Sequence, residues 1–147
     1  MIKKIGISLI VLLVIAQFFR PDKNESGYET VVAFESETSP SPEIKAMLRA
    51  NCYDCHSAQT QYPWYAAITP VSYWLADHIE HGKGHFDVSV WDTYTNKKKD
   101  HKLEELIEMV EDKTMPLDSY TWIHGDLSEE DAQKLIDWAK KVRSTLK

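Results

Sequence analysis

Two patterns of apolar positions run along the chain, and their contrast sets the expected architecture. From Ile5 to Phe19 the residues form one near-continuous apolar run. From residue 43 onward apolar residues recur at helical spacing. Ser41 offers an N-cap and Pro42 the first helical position, and Ile44, Met47 and Leu48 follow, which predicts a helix from Glu43 to Asn51. A second helix is expected from Val71 to His81, ended by Gly82 and Gly84. Leu103, Leu106, Ile107 and Val110 mark the one-sided apolar face of a third. Ser128 caps the fourth, Asp131 stands at the capping-box position, and Ala132, Leu135, Trp138, Ala139 and Val142 form its stripe. No run of strands and no internal repeat interrupts this pattern. The domain reads as all-α with long aromatic-rich connections.

The apolar run at the start is preceded by Lys3 and Lys4 and ended by Arg20-Pro21-Asp22. Fifteen helical residues reach about 22 Å, short of the ~30 Å hydrocarbon core, so the length suits a signal-peptide core as well as a short anchor. Gln17, Phe18, Phe19 and Arg20 are poor cleavage-site residues, which favours an uncleaved anchor over residues 1–20. Lys3 and Lys4 would stay in the cytoplasm and the rest would be exported. The expected location is therefore the cytoplasmic membrane, with a single-pass N-terminal anchor and the domain on the periplasmic side. Residues 21–42, rich in Asp, Glu, Ser, Thr and Pro, read as a flexible tether spanning about 25 Å. Its Val31–Phe34 patch is apolar enough to dock on the domain, which occupies residues 43–147.

Charge narrows the partners. The formal net charge is −6, and without the first twenty residues 14 basic side chains face 23 acidic ones, a net charge of −9. Such a surface repels phosphate backbones and argues against nucleic-acid binding. The 5 Trp, 7 Tyr and 4 Phe suit a small protein wrapping a large flat apolar group, or simply one with an aromatic core.

The only two cysteines stand together in Cys52-Tyr53-Asp54-Cys55-His56. This is C-x-x-C-H, the pattern of c-type haem attachment. Each thiol adds to one vinyl group of the porphyrin, and two intervening residues let both sulfurs meet the same macrocycle edge. Cys52 and Cys55 would be the thioether anchors and His56 the proximal iron ligand. Three rivals use the same residues. A thioredoxin-like dithiol expects a βαβ context. A disulfide here would close a very short loop for a modest entropic gain. Zinc could recruit His78, His81 and His85, although no second cysteine pair exists. Export to an oxidising compartment favours haem.

A second axial ligand is offered by Met115, which precedes Pro116 and lies 59 residues beyond His56. Proline disfavours helix at the residue before it, so the Met115 thioether can project from an irregular segment between the third and fourth helices. Met47 and Met109 fall on expected helices and read as core.

At this point the chain resembles a small class I cytochrome c, and more closely the bacterial haem-binding domain family of short, N-terminally anchored proteins. The resemblance rests on Cys52 to Ser57, on Tyr62-Pro63-Trp64-Tyr65, and on Pro70 through Trp74 to His78. It continues with His85 through Ser89 to Trp91, then Met115-Pro116, and covers nearly the whole chain after residue 42. It implies a cytochrome c-like fold and one covalent haem c with its iron. It also implies that a proline-bearing loop, carrying Pro63 or Pro70, supplies the carbonyl that orients His56. Tyr62, Pro63, Trp64 and Tyr65 are candidate haem-pocket residues. His78 or His85 could replace Met115 as the distal ligand and lower the potential. The lysine-rich stretch between Trp91 and Leu103 reads as a solvated loop, with a docking patch for an acidic partner as the sharper alternative.

The expected role is an electron carrier working with redox protein partners, not an enzyme, since no nucleophile or acid–base pair stands out. The competing expectation is a haem-based sensor, or a peroxide- or gas-reactive protein, with an open sixth position.

Overall fold

The protein's computed structural model describes residues 2–146. Every regular element among them is helical, apart from one isolated bridge between Glu25 and Gln59. The first helix, α1, runs Ile2–Ala16 and buries no side chain. The expectation of a membrane-crossing N-terminal helix, and of a single-pass location built on it, is overturned. Among the described residues no helix is long and apolar enough to cross a membrane. Length is the physical reason: α1 has 15 residues, about 22 Å of rise. Gln17 ends it, donating its side-chain amide to Leu13 O at 2.9 Å and Thr69 O at 3.0 Å.

The segment expected to be a flexible tether is folded. Tyr28–Val31 forms a 3-10 turn that leads into α2, Val32–Thr38. Val31 and Phe34 are fully buried. Phe34 sits at the centre of an aromatic core, edge-on to Trp91 at 5.0 Å, Trp138 at 6.0 Å, Phe86 at 6.3 Å and Tyr53 at 6.5 Å between ring centroids. Two acidic residues of this segment are tied to the domain. Glu35 pairs with Lys45 at 2.9 Å and accepts from the Tyr53 hydroxyl. Glu37 accepts from Trp91 Nε1 at 3.1 Å and from Lys99 Nζ at 2.6 Å. Thr38 O accepts from Trp138 Nε1 at 3.1 Å.

Helix α3, Pro42–Asn51, starts as its sequence predicts: the Ser41 side chain accepts from Ile44 N, and Ile44, Met47 and Leu48 are buried. The single turn α4, Tyr53–His56, follows directly. Helix α5, Val71–His85, runs through Gly82 instead of stopping before it. A Cβ on Gly82 would lie 2.6 Å from the carbonyl oxygen of Cys55, so glycine is there to let α5 approach α4, not to end the helix.

The lysine-rich stretch is the opening of α6, Asn96–Glu111, capped by Thr95. Three of its lysines are engaged within the fold. Lys98 lies 3.8 Å from the Tyr94 ring centroid, Lys99 is buried on Glu37, and Lys102 meets Glu105 at 2.6 Å. A free docking loop is not what the sequence makes here. A short helix that the apolar pattern does not reveal, α7 (Asp118–His124), precedes α8, Glu129–Thr145. Ser128 caps α8 by accepting from Asp131 N, and Leu135, Ile136, Ala139 and Val142 are buried. They pack against Leu103, Ile107 and Val110 of α6 in the main core. Arg143 fastens the far end of the pair through Asp100 at 2.8 Å and Glu104 at 2.8 Å. Two of the expected long connections contain 3-10 turns, at Trp64–Ala67 and Val88–Thr93.

Candidate functional site

The two cysteines are brought together by one tight turn. Helix α3 ends at Asn51, and Cys52 leaves the helical region with φ −127° and ψ −48°. Its carbonyl then accepts from Cys55 N at 3.2 Å and His56 N at 2.9 Å. Positions three apart on such a turn share a side, so both sulfurs belong to one edge of the motif. Tyr53 goes the other way, into the core, where it is fully buried; Cys52, Cys55 and His56 remain half-buried. Both cysteines are free thiols. Ser57, also fully buried, closes the turn by donating its hydroxyl to Tyr53 O at 2.8 Å.

Burial pushes the Cys52 thiol up to about 12 and the Cys55 thiol up to about 11, with the charge of Cys55 adding to the first and that of Asp54 to the second. A redox-active dithiol needs the opposite shift, toward thiolate, so this pair is poorly suited to disulfide exchange. Burial holds the His56 imidazole below its ordinary value, against the Phe86 and Gly82 carbonyls, which favour its protonated form. The ring is therefore neutral near pH 7. His56 Nδ1 lies 2.8 Å from Phe86 O. A neutral ring facing a carbonyl carries its proton on that nitrogen, which puts the free lone pair on Nε2. An imidazole tied at one nitrogen and basic at the other is suited to ligate a metal, with its outer partner in place. Two thiols on one edge and this imidazole are the donor set that a porphyrin held through sulfur and nitrogen requires.

A model of the haem-binding domain family matches residues 11–141. The chain belongs to that family. It is a haem-binding domain, and the match begins inside α1 and includes the folded segment 21–42. No curated protein and no solved structure matches the chain.

The carbonyl that orients His56 in this haem-binding domain is not in a proline loop. Pro63 caps the Trp64–Ala67 turn, Pro70 caps α5, and the partner is Phe86, where α5 ends. No sequence signal marks it, because every residue type carries a carbonyl. Only the close packing that Gly82 permits brings it to the imidazole.

Met115 is half-buried in the connection between α6 and α7, where its N–H donates to Met109 O at 3.1 Å. Met47 is core, but Met109 is 45% exposed and receives a Thr114 hydroxyl contact on its sulfur, contrary to its expected burial. His78 is half-buried and His85 exposed on α5. His78 faces the Trp74 ring at 4.3 Å and its Nδ1 meets Trp74 O at 2.9 Å. His81 Nδ1 lies 3.1 Å from Asp77 O. Among the described residues no group of three or more His, Cys, Asp or Glu could hold a metal ion, so the zinc alternative is not assembled.

The Tyr62–Tyr65 stretch is divided. Tyr62 accepts from Asn24 N at 2.8 Å and lines a cavity of about 240 Å³ with Ile79 and Lys83 of α5. Trp64 is 80% exposed, and Tyr65 stands edge-on to it at 5.9 Å. Burial and then the charge of Asp54 push the Tyr65 phenol up.

Proposed function

We propose that this haem-binding domain carries one covalent c-type haem and transfers electrons between protein partners. The single observation that supports this most is the pairing of His56 with Phe86 beside two free thiols on the same turn. Cys52 and Cys55 would hold the group as thioethers. In each attachment the S–H bond adds across one vinyl C=C, sulfur bonding one carbon and hydrogen the other, with no net oxidation. His56 Nε2 would be the proximal ligand and the Met115 sulfur the distal one. Bound haem supplies a one-electron iron couple, and Met/His ligation places it toward higher potential.

The chain's own residues define the rest. The Phe86 carbonyl fixes the imidazole tautomer, and burial keeps the ring unprotonated. His85 is exposed at the end of α5. His78 is engaged with Trp74 one turn before Gly82.

The test is a haemochrome spectrum and an intact mass on protein made in a host with haem-attachment machinery. One haem's mass surviving denaturation is expected. A colourless protein with free thiols, despite competent maturation, overturns the reading.

A second reading, a gas- or peroxide-responsive haem protein, draws on α7, which buries no side chain. A loosely packed distal segment suits a labile sixth position. Rapid carbon monoxide binding by the reduced wild type would favour it, and inertness the carrier.

A further inference from the structure

Two side chains outside the proposed ligand set meet at the motif. Asp54, one of the two residues between the cysteines, is buried. Its Oδ1 accepts from Gln61 N at 2.8 Å, and its Oδ2 lies 2.9 Å from the hydroxyl of Tyr120 on α7. The same hydroxyl lies 2.7 Å from Ala50 O in the last turn of α3. Two acceptors from two consecutive elements thus converge on one phenolic proton. Hydrogen bonds to a carboxylate are short and strong relative to neutral ones.

This contact is the principal tie of α7. The helix buries none of its side chains, and among the described residues no other α7 side chain has a hydrogen bond or ion pair beyond its own helix. The connection leading into α7 is fixed at its start by Thr114 N and Met115 N, both donating to Met109 O of α6. Its other end is fixed by Tyr120. Tyr120 lies five positions beyond Met115, a reach of at most about 18 Å when extended and less here, because residues 118–120 are helical.

We infer that Tyr120 is a positioning residue: its bond to Asp54 latches α7 onto the Cys52–His56 turn and so holds the Met115 segment beside the proximal ligand. This rests on the reading of Met115 as the second iron ligand. Without the latch, the segment stays tied only at its α6 end, and the sixth position exchanges with external ligands.

The experiment compares full-length wild type, Met115→Ala, Tyr120→Phe and Asp54→Ala, each matured in a haem-attaching host. Intact mass reports attachment, far-ultraviolet circular dichroism reports the fold, and stopped flow gives the carbon monoxide association rate of the reduced proteins. Tyr120→Phe keeps one haem's mass and its helical spectrum, and binds carbon monoxide at least ten times faster than wild type. Asp54→Ala, which removes the acceptor without touching α7, accelerates binding likewise and supplies the test if Tyr120→Phe loses its helical spectrum. If Met115→Ala binds carbon monoxide while the folded latch variants stay as inert as wild type, the inference is wrong and the ligand reading stands. If Met115→Ala is itself inert, the ligand reading fails and the inference with it.

Discussion

The imidazole of His56 and the backbone carbonyl of Phe86 are joined across two helices at 2.8 Å. The bond links the Cys52–His56 turn to the end of α5, thirty residues later. It exists because α5 comes close to α4 at Gly82, where a Cβ would stand 2.6 Å from Cys55 O and 3.1 Å from Cys55 Cβ.

Gly82→Ala is therefore expected to destabilise the protein, although alanine is the better helix former by about 1 kcal/mol. The clash is with backbone, which cannot swing aside, and forced repacking of this kind costs about 1–3 kcal/mol. The net effect is a lower thermal midpoint, measured by circular dichroism. Displacement of α5 also weakens the Phe86 bond, leaving a less electron-rich imidazole. If His56 ligates the haem iron as proposed, the reduction potential of the haem-loaded protein should then rise, read by redox titration. An unchanged midpoint and potential would show that α5 yields freely at this point.

Phe34→Ala tests whether residues 28–38 are part of the domain. A fully buried phenylalanine touching four aromatic rings should cost about 3–5 kcal/mol when truncated, measured by urea denaturation. A flexible tether would tolerate the change within ~0.5 kcal/mol.

That segment also marks where the sequence stops being legible. Helices α3, α6 and α8 announce themselves through Ser41, Ser128 and regular apolar stripes, because local capping and amphipathicity decide them. Helix α2 is decided by distant partners: Lys45 and Lys99 neutralise Glu35 and Glu37, and Trp91 and Trp138 surround Phe34. Read alone, the same residues look like an acidic linker. Gly82 misleads in the same way, reading as a stop when its role is close packing. At the site, the Cys-x-x-Cys-His spacing is local and was readable. Phe86 and Tyr120 act through a backbone carbonyl and a single hydroxyl brought in from elsewhere, and neither leaves a pattern. The apolar run of α1 is plain in the sequence, yet its length does not reach a membrane span.

Stability should fall at alkaline pH. Burial and then the charge of Glu35 raise the Tyr53 phenol above its ordinary value, and burial and then Asp54 do the same to Tyr120. A phenol whose folded value is raised binds its proton more tightly in the native state than in the unfolded chain. The contribution is complete below the unfolded value of about 10 and is lost as pH rises beyond it. Urea midpoints measured from pH 8 to pH 11 should decline above about pH 10. Tyr120→Phe should flatten part of that decline, because phenylalanine has no proton to lose. A flat profile in the wild type would contradict the carboxylate-facing placement of both hydroxyls.

The thiols can be separated by substitution. If each of Cys52 and Cys55 forms one thioether, Cys52→Ser and Cys55→Ser should each retain a haem through the remaining sulfur and His56, and the haemochrome band should move to longer wavelength because one vinyl group stays conjugated with the ring. The double variant should still bind haem through His56 Nε2, but release it to acidified organic solvent, giving the mass of the bare chain. The single variants should also differ. Cys55 lies on the helical turn that ends in His56, whereas Cys52 sits at the break between α3 and α4. A sulfur on the same turn as the iron ligand is held in register with it, so attachment through Cys55 alone should be the more complete, compared as the haem-bearing fraction in intact mass spectra. Equal loss of haem in both single variants would mean that neither sulfur suffices and that attachment needs both at once.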